Sequence, residues 1–187
     1  MLIKICGIRR LEDIEYVNKL KPDYIGFVFA KSKRQINVSF ASLLKANLDK
    51  NIKSVGVFRN DDIELIMEAV RNNTIDLIQL HGDEDDSYIL KIKEFTNLPI
   101  IKAYRDSKYS DYSLFDKDDP GKGIVFDWNK INTNKPFFLA GGININNIDD
   151  GLRLNPYCID VSSGVETDGF KDYKKMEELI KRCRDYE

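Results

Sequence analysis

Short apolar runs alternate with amphipathic stretches along the whole chain, the pattern of repeated strand and helix units on a parallel sheet. Eight of these runs are predicted as strands: Leu2 to Ile5, Tyr24 to Val28, Ser54 to Val57, Ile75 to Leu80, Leu98 to Ala103, Tyr112 to Phe115, Phe137 to Ala140 and Cys158 to Val161. Between them, Leu11, Ile14, Val17 and Leu20 mark one helical face, and Phe40, Leu43, Leu44 and Leu48 mark the next. Ile63, Ile66, Met67 and Val70 keep the i, i+3, i+4, i+7 spacing directly after the capping run Asn60-Asp61-Asp62. Tyr88, Ile92 and Phe95 indicate a fourth helix, Ile148 and Leu152 a weak seventh, and Tyr173, Met176, Ile180 and Cys183 the last.

The fifth and sixth connections break the pattern. The segment from Ala103 to Tyr112 is short, polar and without an apolar stripe, so no full helix is expected there. Lys117 to Gly123, with its Asp-Asp-Pro-Gly turn signal, reads as a loop before the apolar piece that ends in Phe126-Asp127-Trp128. Eight strands alternating with helices specify an α/β fold, a compact (β/α)8 barrel with its fifth helix missing or shortened. The 187 residues form one domain, 1–187, with no linker or low-complexity tract. Such barrels typically need ~250 residues and run as short as ~200, so lost helices account for the deficit.

Composition narrows the partners. The balance of 29 Lys plus Arg against 31 Asp plus Glu gives a net charge of -2, which supplies no basic field to gather nucleic acid. No stretch approaches the length of a membrane span, and the start MLIKICGIRRLEDIEY turns charged too soon for a signal peptide. Cys6, Cys158 and Cys183 have neither disulfide-scaffold nor zinc-site spacing, which points to reduced thiols in the cytoplasm. A small anionic metabolite remains a suitable ligand, because a few backbone amides and one Arg hold a phosphate or carboxylate without a basic surface.

In a (β/α)8 barrel the active site lies at the carboxyl ends of the strands, so the polar residues just after each apolar run are the candidates. They are Cys6-Gly7, the Lys31-Ser32-Lys33-Arg34 loop, Arg59-Asn60, His81-Gly82-Asp83-Glu84 and Asp116, with Gly141-Gly142 after the seventh strand and Ser162-Ser163-Gly164 after the eighth. Glycines allow close backbone approach to an anion, and serine hydroxyls with free amides donate to it. Adjacent loops after strands seven and eight are where such barrels hold phosphate, so Gly141, Gly142, Ser162, Ser163 and Gly164 are the expected phosphate site.

The strings KICGI at Lys4 to Ile8, GFVFAKSKR at Gly26 to Arg34, VGVF at Val55 to Phe58 and QLHGDE at Gln79 to Glu84 resemble phosphoribosylanthranilate isomerase. So do FDW at Phe126 to Trp128, AGGI at Ala140 to Ile143, and DVSSGVE at Asp160 to Glu166 followed by GFKD at Gly169 to Asp172. The motifs stand in the family's order. The resemblance implies an Amadori rearrangement of N-(5-phosphoribosyl)anthranilate to 1-(2-carboxyphenylamino)-1-deoxyribulose 5-phosphate in tryptophan biosynthesis, with no metal or organic cofactor. It further implies that Cys6 is the general base and Asp116 the general acid, and that Arg34 pairs with the anthranilate carboxylate. A base must be ionised, so the Cys6 pKa is expected to fall from about 8.5 through amides or cations nearby. An acid must hold its proton above the usual pKa of about 3.9, so Asp116 is expected in a desolvated place. His81 falls in the barrel mouth, suited to a substrate contact or a structural hydrogen bond rather than to proton transfer.

The chain departs from the family pattern at Ala30, where proline is usual, in the fifth helix, and in a short loop after Asp116 that lacks the Gly-Gly-x-Gly run. Two alternatives stay open on the sequence. Indole-glycerol-phosphate synthase uses a related substrate but needs catalytic lysines and a glutamate at strand ends, and here Lys4 and Lys102 lie inside strands one and five. The other alternative is a non-catalytic barrel that binds a phosphorylated ligand.

Overall fold

The computed structural model describes residues 1–116 and 131–186, so the readings of Lys117 to Gly123 and of Phe126-Asp127-Trp128 lie outside the described residues. Eight parallel strands close into a barrel in sequence order: β1 (Leu2–Cys6), β2 (Tyr24–Val28), β3 (Lys53–Phe58), β4 (Leu77–Leu80), β5 (Ile100–Ala103), β6 (Tyr112–Phe115), β7 (Phe137–Leu139) and β8 (Cys158–Val161). Closure is made by β8 pairing with β1, with Leu2 opposite Cys158 and Ile5 opposite Val161. Every predicted strand is present, the largest shifts being the later starts of β4 and β5.

The described residues carry six helices: α1 (Leu11–Leu20), α2 (Val38–Ala46), α3 (Ile63–Arg71), α4 (Asp86–Lys93), α5 (Ile148–Leu152) and α6 (Tyr173–Arg184). The connection from β5 to β6 has no helix, as its missing apolar stripe predicted. A two-stranded hairpin, β9 (Glu166–Thr167) and β10 (Phe170–Lys171), stands between β8 and α6.

Three helical faces differ from expectation, the first only at Leu11, which is exposed at the start of α1. On α2 the buried residues are Val38, Ala41 and Leu44, while Phe40 and Leu43 stay exposed. In the fourth unit Ile89 and Ile92 are buried while Phe95 is exposed. The second and fourth stretches carry more than one apolar stripe, and a short helix lying on a barrel buries only the stripe that meets the strands. Asp62 takes the backbone position before α3, but its side chain makes no capping hydrogen bond.

Side chains alternate along each strand, so one parity meets the helices and the other fills the barrel. Ile3, Ile5, Ile25, Ile78 and Ile159 belong to the outer core beneath the helices. The inward set is apolar at the base, where Tyr24, Val55, Leu77, Leu114, Phe138 and Cys158 pack together. One layer higher it turns polar. Lys4 on β1 is fully buried and donates to Gln79 Oε1 of β4 at 2.7 Å and to Asp160 Oδ2 of β8 at 2.6 Å. The third inward layer is the barrel mouth.

Candidate active site

The parity that sends Lys4, Gln79 and Asp160 into the barrel sends the next inward residues, Cys6, His81 and Ser162, to its rim. A cavity of about 350 Å³ opens there, at the carboxyl ends of the strands. Cys6, Arg34, His81, Asp116, Gly141, Gly142, Ser162 and Ser163 all line it. Gly164 does not, and its part is different: a Cβ at this position would lie 1.8 Å from the Ile143 carbonyl oxygen. The loops after β7 and β8 touch at a distance only glycine permits.

Gly7 and Gly26 shape the surroundings of the thiol. Gly7 follows Cys6 with φ of 84°, and a Cβ there would come within 2.5 Å of Arg34 Cδ. A Cβ on Gly26, on the neighbouring strand, would sit 2.7 Å from Cys6 Sγ. The Ser162 hydroxyl donates to the Cys6 carbonyl at 3.2 Å, tying β8 to β1 at the rim. Burial pushes the Cys6 thiol up, against the expected fall; the Lys4 and Lys171 ammonium groups offset only part of it, and Asp160 adds to the rise. Sequence shows the charges but not the burial, and here burial wins.

Asp116 follows β6, with His81 beside it: Nε2 lies 3.5 Å from Asp116 Oδ2. The imidazole is held at both nitrogens. Lys4 can only donate, so it turns the Gln79 oxygen toward itself and leaves the Gln79 amide nitrogen to donate to His81 Nδ1 at 2.9 Å. The ring proton therefore sits on Nε2, which faces the Tyr104 hydroxyl at 2.8 Å as well as Asp116. Of the two readings open for His81, the structural hydrogen bond is present, while the ring edge still lines the cavity. Tyr104 holds φ of 64°, an uncommon conformation for a bulky residue and one that no sequence signal announces.

At the other side of the mouth, the Gly142 carbonyl is held by the side chains of Asn144 at 3.0 Å and Asn147 at 3.1 Å. The amides of Gly142, Ser163 and Gly164 find no acceptor among the described residues. Gly142 has φ of 68° and open space where a side chain would start. Free donors on two touching loops suit an anion. Val28, Ala30 and Val57 make a small apolar patch beside Cys6 that also lines the cavity.

Arg34, like His81, already has a protein partner: Glu166 accepts two hydrogen bonds from it. Sequence reading named Gln79, Asp160 and Glu166 within motifs but gave them no task, and it passed over Tyr104. Neither Lys4 nor Lys102 lines the cavity. Lys102 is buried against Glu84 at 3.0 Å and donates to the Gly82 carbonyl at 2.7 Å. Lys4 is thus committed inside the barrel below the rim, and Lys102 to the loop that follows β4. Among the described residues no group of His, Cys, Asp and Glu is arranged to hold a metal ion, and no helix is long and apolar enough to cross a membrane.

A closed barrel whose mouth gathers a thiol, a carboxyl and the amides of the loops after β7 and β8 around one cavity belongs to the (β/α)8 class, whose active sites lie at the carboxyl ends of the strands. The family model for N-(5'phosphoribosyl)anthranilate (PRA) isomerase matches residues 3–182, and the chain belongs to that family. It is 49% identical to the N-(5'-phosphoribosyl)anthranilate isomerase of Endomicrobium trichonymphae over 97% of this chain and 98% of that one. With the corresponding enzyme of Clostridium acetobutylicum the identity is 47%, over 98% of each. Among solved structures, the phosphoribosyl anthranilate isomerase of Thermus thermophilus superposes with a TM-score of 0.87 at 32% identity, covering 100% of both chains. A further isomerase, solved with reduced 1-(o-carboxyphenylamino)-1-deoxyribulose 5-phosphate, gives a TM-score of 0.82 at 30% identity over 98% of each chain. The activity is that of an isomerase in tryptophan biosynthesis.

Proposed function

We propose that Cys6 and Asp116 carry the two proton transfers of this isomerisation in one cavity, with Arg34 and the glycine-serine loops holding the two ends of the substrate. The observation that supports the assignment is their shared cavity: the thiol ends β1, the carboxyl ends β6, and β7 and β8 with the free amides lie between them. Asp116 gives its proton to the ring oxygen of the ribose as the bond from that oxygen to C1 breaks. The aniline nitrogen supplies the electron pair and becomes an iminium. Cys6, as thiolate, then takes the proton from C2, and those electrons neutralise the nitrogen and leave an enolamine. Tautomerisation of the enolamine gives the ketose. Both steps are ordinary acid-base catalysis, and neither needs a cofactor.

The amides of Gly142, Ser163 and Gly164 take the phosphate, with Gly141 and Ser162 completing the loops. The aromatic ring lies on Val28, Ala30 and Val57 with its carboxylate toward Arg34. His81, fixed as the Nε2–H tautomer, orients Asp116 and rims the sugar pocket. We place the enzyme in the cytoplasm, where its free thiols stay reduced.

The test follows the loss of phosphoribosylanthranilate fluorescence with the purified protein and no added metal. Cys6→Ala and Asp116→Asn should each lower kcat by at least ~100-fold, the smaller end of what one acid or base contributes, with folding intact. Near-normal turnover by either variant would refute that half of the mechanism. Retained substrate affinity without turnover by the parent protein would instead identify a binding barrel.

A further inference from the structure

The Arg34 guanidinium reaches the cavity with one edge already taken. Its Nε and Nη2 donate to the two carboxylate oxygens of Glu166, each at 2.7 Å, in the parallel geometry that makes such pairs strong. Glu166 Oε1 also accepts from Lys171 Nζ at 2.9 Å, and Lys171, itself buried, donates a further proton to the Ser162 carbonyl at 2.9 Å. Gly7 lies against the Arg34 stem, with no room between them for even a methyl group. These contacts span the site, from the loop after β2 through the β9–β10 hairpin to the serine loop after β8.

A guanidinium offers a carboxylate two bidentate edges, the side edge of Nε with one terminal nitrogen and the end edge of the two terminal nitrogens. Glu166 closes the side edge. We propose that Glu166 is a positioning residue that forces the aromatic carboxylate of the substrate onto the end edge of Arg34, and that its link through Lys171 to Ser162 sets the distance between the carboxylate and phosphate ends of the site. The proposal rests on the reading of Arg34 as the carboxylate site. Its consequence is geometric: a substrate free to use either edge would shift its sugar relative to Cys6 and Asp116, and a misplacement of ~1 Å costs on the order of 100-fold in rate. Charge argues in the same direction. Arg34 and Lys171 against Glu166 leave one net positive charge, enough to receive one carboxylate, so loss of Glu166 adds attraction while removing direction.

Glu166→Gln keeps the volume and releases the side edge. Anthranilate serves as the binding probe in titration calorimetry, with aniline as the control that lacks the carboxylate, and circular dichroism reports the fold. The expected result is a split: anthranilate affinity holds or rises in Glu166→Gln, aniline is unaffected, and kcat falls at least ~10-fold. Because Glu166→Gln leaves Lys171 buried without its partner and so could fail to fold, Glu166→Gln with Lys171→Met provides a second variant of unchanged net charge, expected to lose kcat similarly. A kcat within about threefold of the parent in a folded variant, or anthranilate affinity and kcat falling together, would overturn the proposal. Arg34→Met separates the two levels. If it binds anthranilate as well as the parent, the carboxylate site lies elsewhere and the proposal falls with it; if it loses anthranilate while Glu166→Gln keeps its kcat, only the edge selection falls.

Discussion

Removing Lys4 should cost this barrel more stability than removing any charge on its surface. The ammonium is fully buried, 2.6 Å from Asp160 Oδ2, and among the described residues it is the only side chain that donates to that carboxylate. Asp160 Oδ1 already has no hydrogen-bond partner. Lys4→Met preserves the stem that packs inside the barrel but leaves the carboxylate buried with neither oxygen satisfied, and leaves Gln79 Oε1 without its donor. Breaking a buried pair from one side costs ~3–5 kcal/mol. Asp160 touches the cavity, so water can relieve part of the loss, and the lower end, about 3 kcal/mol, is expected. For a chain of this size each kcal/mol moves Tm by ~2–4 °C, so Tm should drop by ~6–12 °C.

The companion variant is Lys4→Met with Asp160→Leu, which removes both charges and fills the space with apolar atoms. Replacement of a buried pair in this way is often neutral, so the double variant should recover most of the loss, giving a coupling of ~2 kcal/mol or more in the cycle with the two single variants. Urea unfolding followed by circular dichroism measures all four proteins, with the midpoint carrying the comparison at constant m. A loss below ~1 kcal/mol for Lys4→Met, or a double variant as unstable as the sum of the singles, would refute the argument that Lys4 is held by Asp160.

Two further expectations concern the thiol. Because burial holds the Cys6 pKa above its ordinary value and the proposed base acts only when ionised, kcat/KM should climb with pH through the neutral range and level off only above the usual thiol range. Lys4 favours the thiolate, so Lys4→Met should move that limb further up; a profile flat from about pH 6 to about pH 9 would exclude a raised thiol as the base. Gly26→Ala tests placement without touching the substrate: its Cβ would meet Cys6 Sγ at 2.7 Å and must displace it. A shift of ~1 Å should cost up to ~100-fold in kcat with the fold retained, and a parental kcat would show that the thiol need not stand where it does.

The strands were legible because short apolar runs between amphipathic stretches answer a physical requirement, strands buried between a filled barrel and the helices around it. Helical faces were less so. Phe40, Leu43 and Phe95 are as hydrophobic as Ile89 or Leu44, and periodicity alone does not say which of two apolar stripes meets the strands. The direction of the Cys6 shift was equally hidden, since it depends on how much of the barrel closes around the sulfur rather than on which charges lie nearby in sequence.

The polar layer beneath the site had a signal that went unused. Lys4 in Leu-Ile-Lys-Ile-Cys, Gln79 in Leu-Ile-Gln-Leu and Asp160 in Cys-Ile-Asp-Val each interrupt an otherwise apolar strand at an inward position. Isolated, each looks like a break in the pattern, and a strand with one polar break is still a strand. Taken together they share one parity with Cys6, His81 and Ser162, two residues further along the same strands. A charged group at such a place would be prohibitively costly in isolation, so a cation on one strand requires acceptors at the same height on others. Lys4 therefore implies partners like Gln79 and Asp160, and a closed barrel is the arrangement that brings β1, β4 and β8 to one point. That layer then governs what lies above it. The cation sets the Gln79 amide, the amide sets the His81 tautomer, and the tautomer aims a proton donor at Tyr104 and Asp116. The Asp116 side of the site is thus oriented from β1, the strand that also carries Cys6.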